Sequence, residues 1–74
     1  MIYKNGDIIK GNLKKYKEQI INVNLMVIEF RISNYFLINM EDGVSTRFFD
    51  MPFKSLKDLS LWIDENIDVA SNLN

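Results

Sequence analysis

An α+β fold follows from three observations: runs of alternating apolar residues between Met26 and Phe48, a glycine turn at Glu41-Asp42-Gly43, and a capped amphipathic segment after Pro52. Apolar recurrence at period two marks a strand with an inside and an outside, whereas recurrence at three and four residues marks a helix. Taken in order, the 74 residues form one small domain. It comprises a short strand or hairpin over 1–10, a helix over 12–21, a three-stranded antiparallel meander over 23–50, a C-terminal helix over 55–68 packed on one sheet face, and a frayed tail over 70–74.

Asn5-Gly6 is a two-residue turn signal, since both residues tolerate positive φ. It separates Ile2-Tyr3-Lys4 from Asp7-Ile8-Ile9-Lys10, and Gly11 then breaks the pattern. From Asn12, a capping residue, Leu13, Tyr16 and Ile20 fall on one helical face with Lys14, Lys15 and Glu18 opposite. An all-β alternative pairs 8–16 with 20–32 as a long hairpin, as in a small barrel.

Within the meander the even positions Met26, Ile28, Phe30 and Ile32 are apolar, and Glu29, Arg31 and Ser33 are polar. Phe36, Ile38 and Met40, then Val44, Thr46 and Phe48, continue the even pattern. Even residues are therefore expected to face the core. A two-residue Asp42-Gly43 loop would pair Ile38 with Arg47 and mix the faces. A three-residue loop with Gly43 in a G1 bulge pairs Met40 with Val44, Ile38 with Thr46 and Phe36 with Phe48. The same reasoning makes Ser33-Asn34-Tyr35 a connection that sets Phe30 opposite Ile38. Pro52 ends the third strand, and Ser55 with Asp58 three residues on forms an acidic variant of the capping box. Leu56, Leu59, Ile63 and Ile67 make the helix stripe, expected on the even face, with Trp62 on its flank and Leu61 in the polar arc.

Composition narrows the chemistry. A chain of this length buries only roughly 60% of its unfolded surface, so its core is thin. There is no cysteine and no histidine, which removes disulfides, the usual zinc sites, thiol nucleophiles and Ser-His couples. Self-association as a homodimer is one way such a core gains stability. No apolar run reaches membrane-span length and the N-terminus lacks a signal-peptide core, so a cytoplasmic protein is expected. The net charge of −1 conceals a local +3 over 1–21 and −2 over 51–74, less basic than a dedicated duplex binder. Abundant Ile, Asn and Lys fit an AT-rich bacterial or phage source.

Gly6, Gly11 and Gly43 are isolated, so no phosphate-binding loop exists, and Ser45, Ser55 and Ser60 have no base to activate them. Glu41 and Asp42 serve a turn. No catalytic residue, cofactor or metal is expected. Asp64, Glu65 and Asp68 cluster where the helix dipole disfavours anions, either as a solvated face or as a patch for a basic partner. The odd sheet face aligns Arg31, Leu37 and Arg47 across three strands, with Tyr35 and Phe49 in the neighbouring row. Arginines beside exposed aromatics have the composition of binding hot spots. The competing assignment is that the N-terminal segment covers this face and makes Tyr35, Leu37 and Phe49 a second small core.

The order helix, three-stranded meander, helix over 12–67 resembles that of double-stranded-RNA-binding domains. Where that family gathers lysines at the start of its last helix, this chain has Ser55-Leu56-Lys57-Asp58. Three strands and a helix also resemble the arm-binding domain of phage integrases, whose sheet is more basic. Two functions follow as expectations. The first is a non-enzymatic protein-binding module, a small inhibitor or adaptor of the kind phages direct at host proteins, using Arg31, Tyr35, Leu37, Arg47 and Phe49, and secondarily Asp64, Glu65 and Asp68. The second is nucleic-acid binding, through Tyr35 and Phe49 stacking on unpaired bases or through Lys10, Lys14, Lys15 and Lys17.

Overall fold

Five strands and one helix build the molecule in a computed structural model, which describes residues 1–14, 20–41 and 44–73. The strands are β1 (Ile8–Leu13), β2 (Asn22–Glu29), β3 (Tyr35–Asn39), β4 (Thr46–Arg47) and β5 (Ile67–Leu73), with α1 (Leu56–Asn66) between the last two. They form one sheet in the order β4-β3-β2-β1-β5, antiparallel throughout. The mixed α+β class holds, but the meander is four strands long and its return strand β5 pairs with β1.

The helix expected over 12–21 is not formed where it can be seen. Asn12 and Leu13 lie in β1, and Lys14 is in a turn. Residues 15–19, which include Tyr16 and Glu18, lie outside the described residues. The long-hairpin alternative describes the visible part: Ile8 pairs with Met26 and Asn12 with Asn22. Because Asn12 and Leu13 belong to β1, the described residues do not show the order shared with RNA-binding domains. Asn5-Gly6 does turn the chain, with Gly6 at φ 91°. No strand precedes the turn. Instead Gly6 donates to the Val27 carbonyl at 2.7 Å and Val27 donates to that of Asp7 at 2.9 Å, docking the turn on β2.

The core lies on the odd face, the reverse of the sequence expectation. Ile9, Val23, Leu25, Val27 and Leu37 are buried beneath Leu59, Ile63 and Ile67, and Tyr3 joins them from the N-terminal segment. The tie was broken by residues outside the strand: Arg31 and Ser33 sit in the β2–β3 turn, whereas Val23, Leu25 and Val27 inside β2 are as apolar as Met26 and Ile28. Both registers shift accordingly. Met26, not Phe30, pairs with Ile38. Ile38 pairs with Arg47 and Asn39 with Thr46, the arrangement that sequence parity disfavours. Parity changes between β3 and β4, so Thr46 and Phe48 share the helix side with Asn39 and Leu37, and Phe48 donates to the Leu37 carbonyl at 2.8 Å. The bulge assigned to Gly43 lies outside the described residues.

α1 starts as expected: Ser55 is the N-cap, and its hydroxyl accepts from the Asp58 amide at 3.0 Å. It stops at Asn66 rather than 68. Ile67 is extended, with φ −122° and ψ 128°, and opens β5 over the segment expected to fray. No basic residue lies in the last turn. Two side-chain donors cap its carbonyls: Asn66 Nδ2, of the helix itself, reaches the Trp62 oxygen at 2.8 Å, and Lys14 Nζ, from the turn after β1, reaches the Asp64 oxygen at 2.9 Å.

Candidate functional site

The segment from Phe48 to Phe53 leaves the sheet in a series of bends and folds back beside α1. Its far end is fixed by a bridge in which Tyr35 and Phe53 exchange backbone hydrogen bonds of 2.9 and 2.8 Å. This places Phe48, Phe49 and Phe53 against Trp62, on the flank of the helix stripe. Phe49 meets Trp62 edge-on with centroids 4.9 Å apart and planes at 86°, and meets Phe48 at 4.9 Å and 83°. Phe53 lies 5.9 Å from Phe49 at 80°. Such edge-to-face contacts stiffen the cluster beyond simple burial, by about 0.5–1.5 kcal/mol per pair.

Phe49, Met51, Pro52, Phe53 and Trp62 line an open groove of about 300 Å³. Met51 is 76% exposed on its rim, and Phe49 is 36% exposed. No wall residue titrates. The charged groups lie outside: Asp50 is between Phe49 and Met51 in the chain, and Asp58 and Glu65 share the helical side of Trp62 at spacings of four and three. Lys54 donates to Asn34 Oδ1 at 2.7 Å. The groove thus offers an aromatic and apolar wall with no acid or base on it, suited to holding an apolar side chain rather than to proton transfer.

Of the residues expected to form one binding face, the structure brings only Phe49 to this groove. Leu37 is 1% exposed in the core. Tyr35 is half-buried against the same core, and burial and then the adjoining Glu29 carboxylate raise its phenol above the usual 10.0. Arg47 is on the opposite sheet face, its guanidinium 4.4 Å from the Phe36 ring centre. Arg31 occupies the β2–β3 turn with φ 61°, stacked at 5.4 Å on exposed Phe30. The competing assignment, that this face is covered, therefore describes Leu37 and Tyr35, although α1 supplies much of the cover. The acidic trio is also divided. The Asp64 carboxylate meets the Met1 ammonium at 3.1 Å, Glu65 is exposed on α1, and Asp68 pairs with Asn12 in β5. Among the described residues no group of three acidic side chains is placed to hold a metal ion.

Strand alternation marks none of Met51, Pro52, Phe53 and Trp62 as groove residues: Pro52 reads as a strand end and Trp62 as the flank of the helix stripe. A signal was there: five of the six residues from Phe48 to Phe53 are apolar, too dense for a half-buried strand.

A second recess, of about 380 Å³, opens between Lys10, Asn12, Asn22, Asn24 and Glu41. The Oδ1 atoms of Asn12 and Asn24 are buried there without a hydrogen-bond partner among the described residues. No helix of the described chain is long and apolar enough to cross a membrane. Comparison with protein-family models, curated proteins and solved structures yields no match.

Proposed function

We propose that the protein is a non-enzymatic protein-binding module, an inhibitor or adaptor, and that the Phe49–Trp62 groove is its contact site. One observation carries this reading: an aromatic groove with Met51 exposed at its rim, on a molecule whose other described aromatic residues mostly pack inward or at a turn. Tryptophan, phenylalanine and methionine are enriched at protein interfaces, and a pre-stiffened aromatic pocket loses little entropy when a partner side chain enters. Asp50, beside Phe49 and Met51 in the chain, and Asp58 and Glu65, on the helical side of Trp62, support a protein partner over a nucleic acid, because carboxylates oppose a phosphate backbone.

The test is capture of the partner on immobilised protein from a nuclease-treated extract of the native host, with binding then quantified for Met51→Asp and Phe49→Ala. Both residues are partly exposed, so the fold should persist and affinity should fall at least tenfold, on the order of 1.4 kcal/mol or more. Retained affinity in both variants, or a complex that nuclease removes, contradicts the reading.

A further inference from the structure

Asn5-Gly6 is held shut against β2, and we infer that it is a covalent modification site whose reaction waits for the N-terminal segment to lift. Asn5 is the one asparagine in the sequence followed by glycine; the others precede a larger residue or end the chain. A following glycine leaves its nitrogen unhindered and its backbone free to swing. Base takes the Gly6 amide proton, and the nitrogen then attacks Asn5 Cγ. The Cγ–Nδ2 bond breaks, Nδ2 leaves as ammonia with a proton from water, and a succinimide ring closes. Water opens the ring at either carbonyl, giving aspartate or isoaspartate in place of Asn5 with no change of oxidation state.

The folded chain pins both reacting groups. Gly6 N–H donates to the Val27 carbonyl at 2.7 Å, which keeps the proton on the attacking nitrogen. Asn5 Oδ1 accepts from the Glu29 amide at 2.8 Å, which fixes the carboxamide further along β2. Around them, Asp7 N–H donates to the Lys4 carbonyl and Lys4 N–H to Asp7 Oδ2, both at 3.0 Å, closing the turn. Tyr3, 2% exposed in the core, anchors the segment upstream through its amide bond to the Ser60 hydroxyl. Asn5 is exposed, so its protection comes from these bonds rather than from exclusion of water. Reaction requires both bonds to β2 to break, which is a local opening of the segment. The isoaspartyl product carries an extra methylene in the main chain, which moves the Gly6 N–H off the Val27 carbonyl. Modification is thus a one-way release of the N-terminal segment, and it does not depend on the aromatic groove.

The test incubates the full chain, folded and in urea, in mildly alkaline buffer and follows its tryptic peptides by mass spectrometry. Cleavage after Lys4 and Lys10 isolates Asn5 from the other asparagines. Asp42-Gly43 closes the same ring with no change of mass and lies in another peptide. Expected is conversion of Asn5 to acid in urea, isoaspartate included, slowed at least about tenfold in the folded chain because reaction waits for the opening. Hydrogen exchange at the Gly6 amide should be slowed by a matching factor, since both processes need the same event. Ser60→Ala, which removes the acceptor of the Tyr3 amide, should raise the folded rate at least about threefold and leave the rate in urea unchanged. Should that variant not fold, the match between Gly6 exchange and Asn5 conversion in the unaltered chain decides. The purified isoaspartyl product should lose the Gly6 protection and unfold at a lower urea concentration. Equal rates in the folded and unfolded chain, a protected Gly6 amide without slowed conversion, or a folded Ser60→Ala that converts no faster would overturn the proposal. So would an isoaspartyl product that keeps the Gly6 bond.

Discussion

Gly11 shows how one residue can mislead in sequence and decide a structure. It reads as a break, yet it sits inside β1, opposite Val69, where the register of β5 slips between Lys10 and Gly11. A Cβ there would collide with the Asp68 carbonyl and come within 3.0 Å of the Val69 Cα. Both obstacles are backbone, so neither can swing aside. Gly11→Ala should cost about 1–3 kcal/mol, the usual range for overpacking, measured as a lower midpoint in urea. Leu37 is the second instructive residue. On an exposed binding face its truncation would leave stability within about 0.5 kcal/mol. In the core position found here, Leu37→Ala should remove about 2–5 kcal/mol.

At the element scale, the capped start of α1 was legible in the sequence because a cap is local chemistry, and Ser55 with Asp58 carries it. Its end was not. Ile67 continues the stripe Leu59, Ile63 in helical spacing and also begins a strand with Ile67 and Val69 facing inward. Both periods bury the same residue, so periodicity has no vote; pairing with β1 decides. The same degeneracy reversed the sheet. In β2 both parities are apolar, and only the distant cover from Leu59, Ile63 and Tyr3 makes one of them the core face. Matching faces by parity favours Ile38 opposite Thr46, whereas the observed pairs are Ile38 with Arg47 and Asn39 with Thr46. Phe49 lines the aromatic groove whatever the register, while the placing of Arg47 and Leu37 on one face depends on register, and the observed register separates them.

Among the described residues the molecule is a five-stranded sheet with one face closed by α1 and the N-terminal segment, and with an aromatic groove beside the helix. Tyr3 links the N-terminal segment to the helix: its amide donates to the buried Ser60 hydroxyl at 2.8 Å. Burial first, then Asp64 and Asp7, push its phenol above 10.0, and Tyr35 shifts the same way. A phenol that ionises later in the folded state stabilises the fold in full below the unfolded pKa near 10.0 and loses that contribution as pH rises through the higher native value. Alkaline titration should therefore show phenolate absorbance appearing late in the native protein, with unfolding free energy falling over the same range. Phenolate appearing in the native protein at the pH found in urea would contradict the packing described for Tyr3.

The central functional claim can be read from one side chain. The sequence contains a single tryptophan, and it forms a wall of the proposed contact groove. Fluorescence of Trp62, followed while a captured partner is titrated to saturation, reports that groove without labelling. Entry of a partner side chain beside Phe49 and Met51 should expel water and shift the emission to shorter wavelength, with a midpoint matching the binding constant. Saturated binding with unchanged emission would place the contact elsewhere and contradict the account.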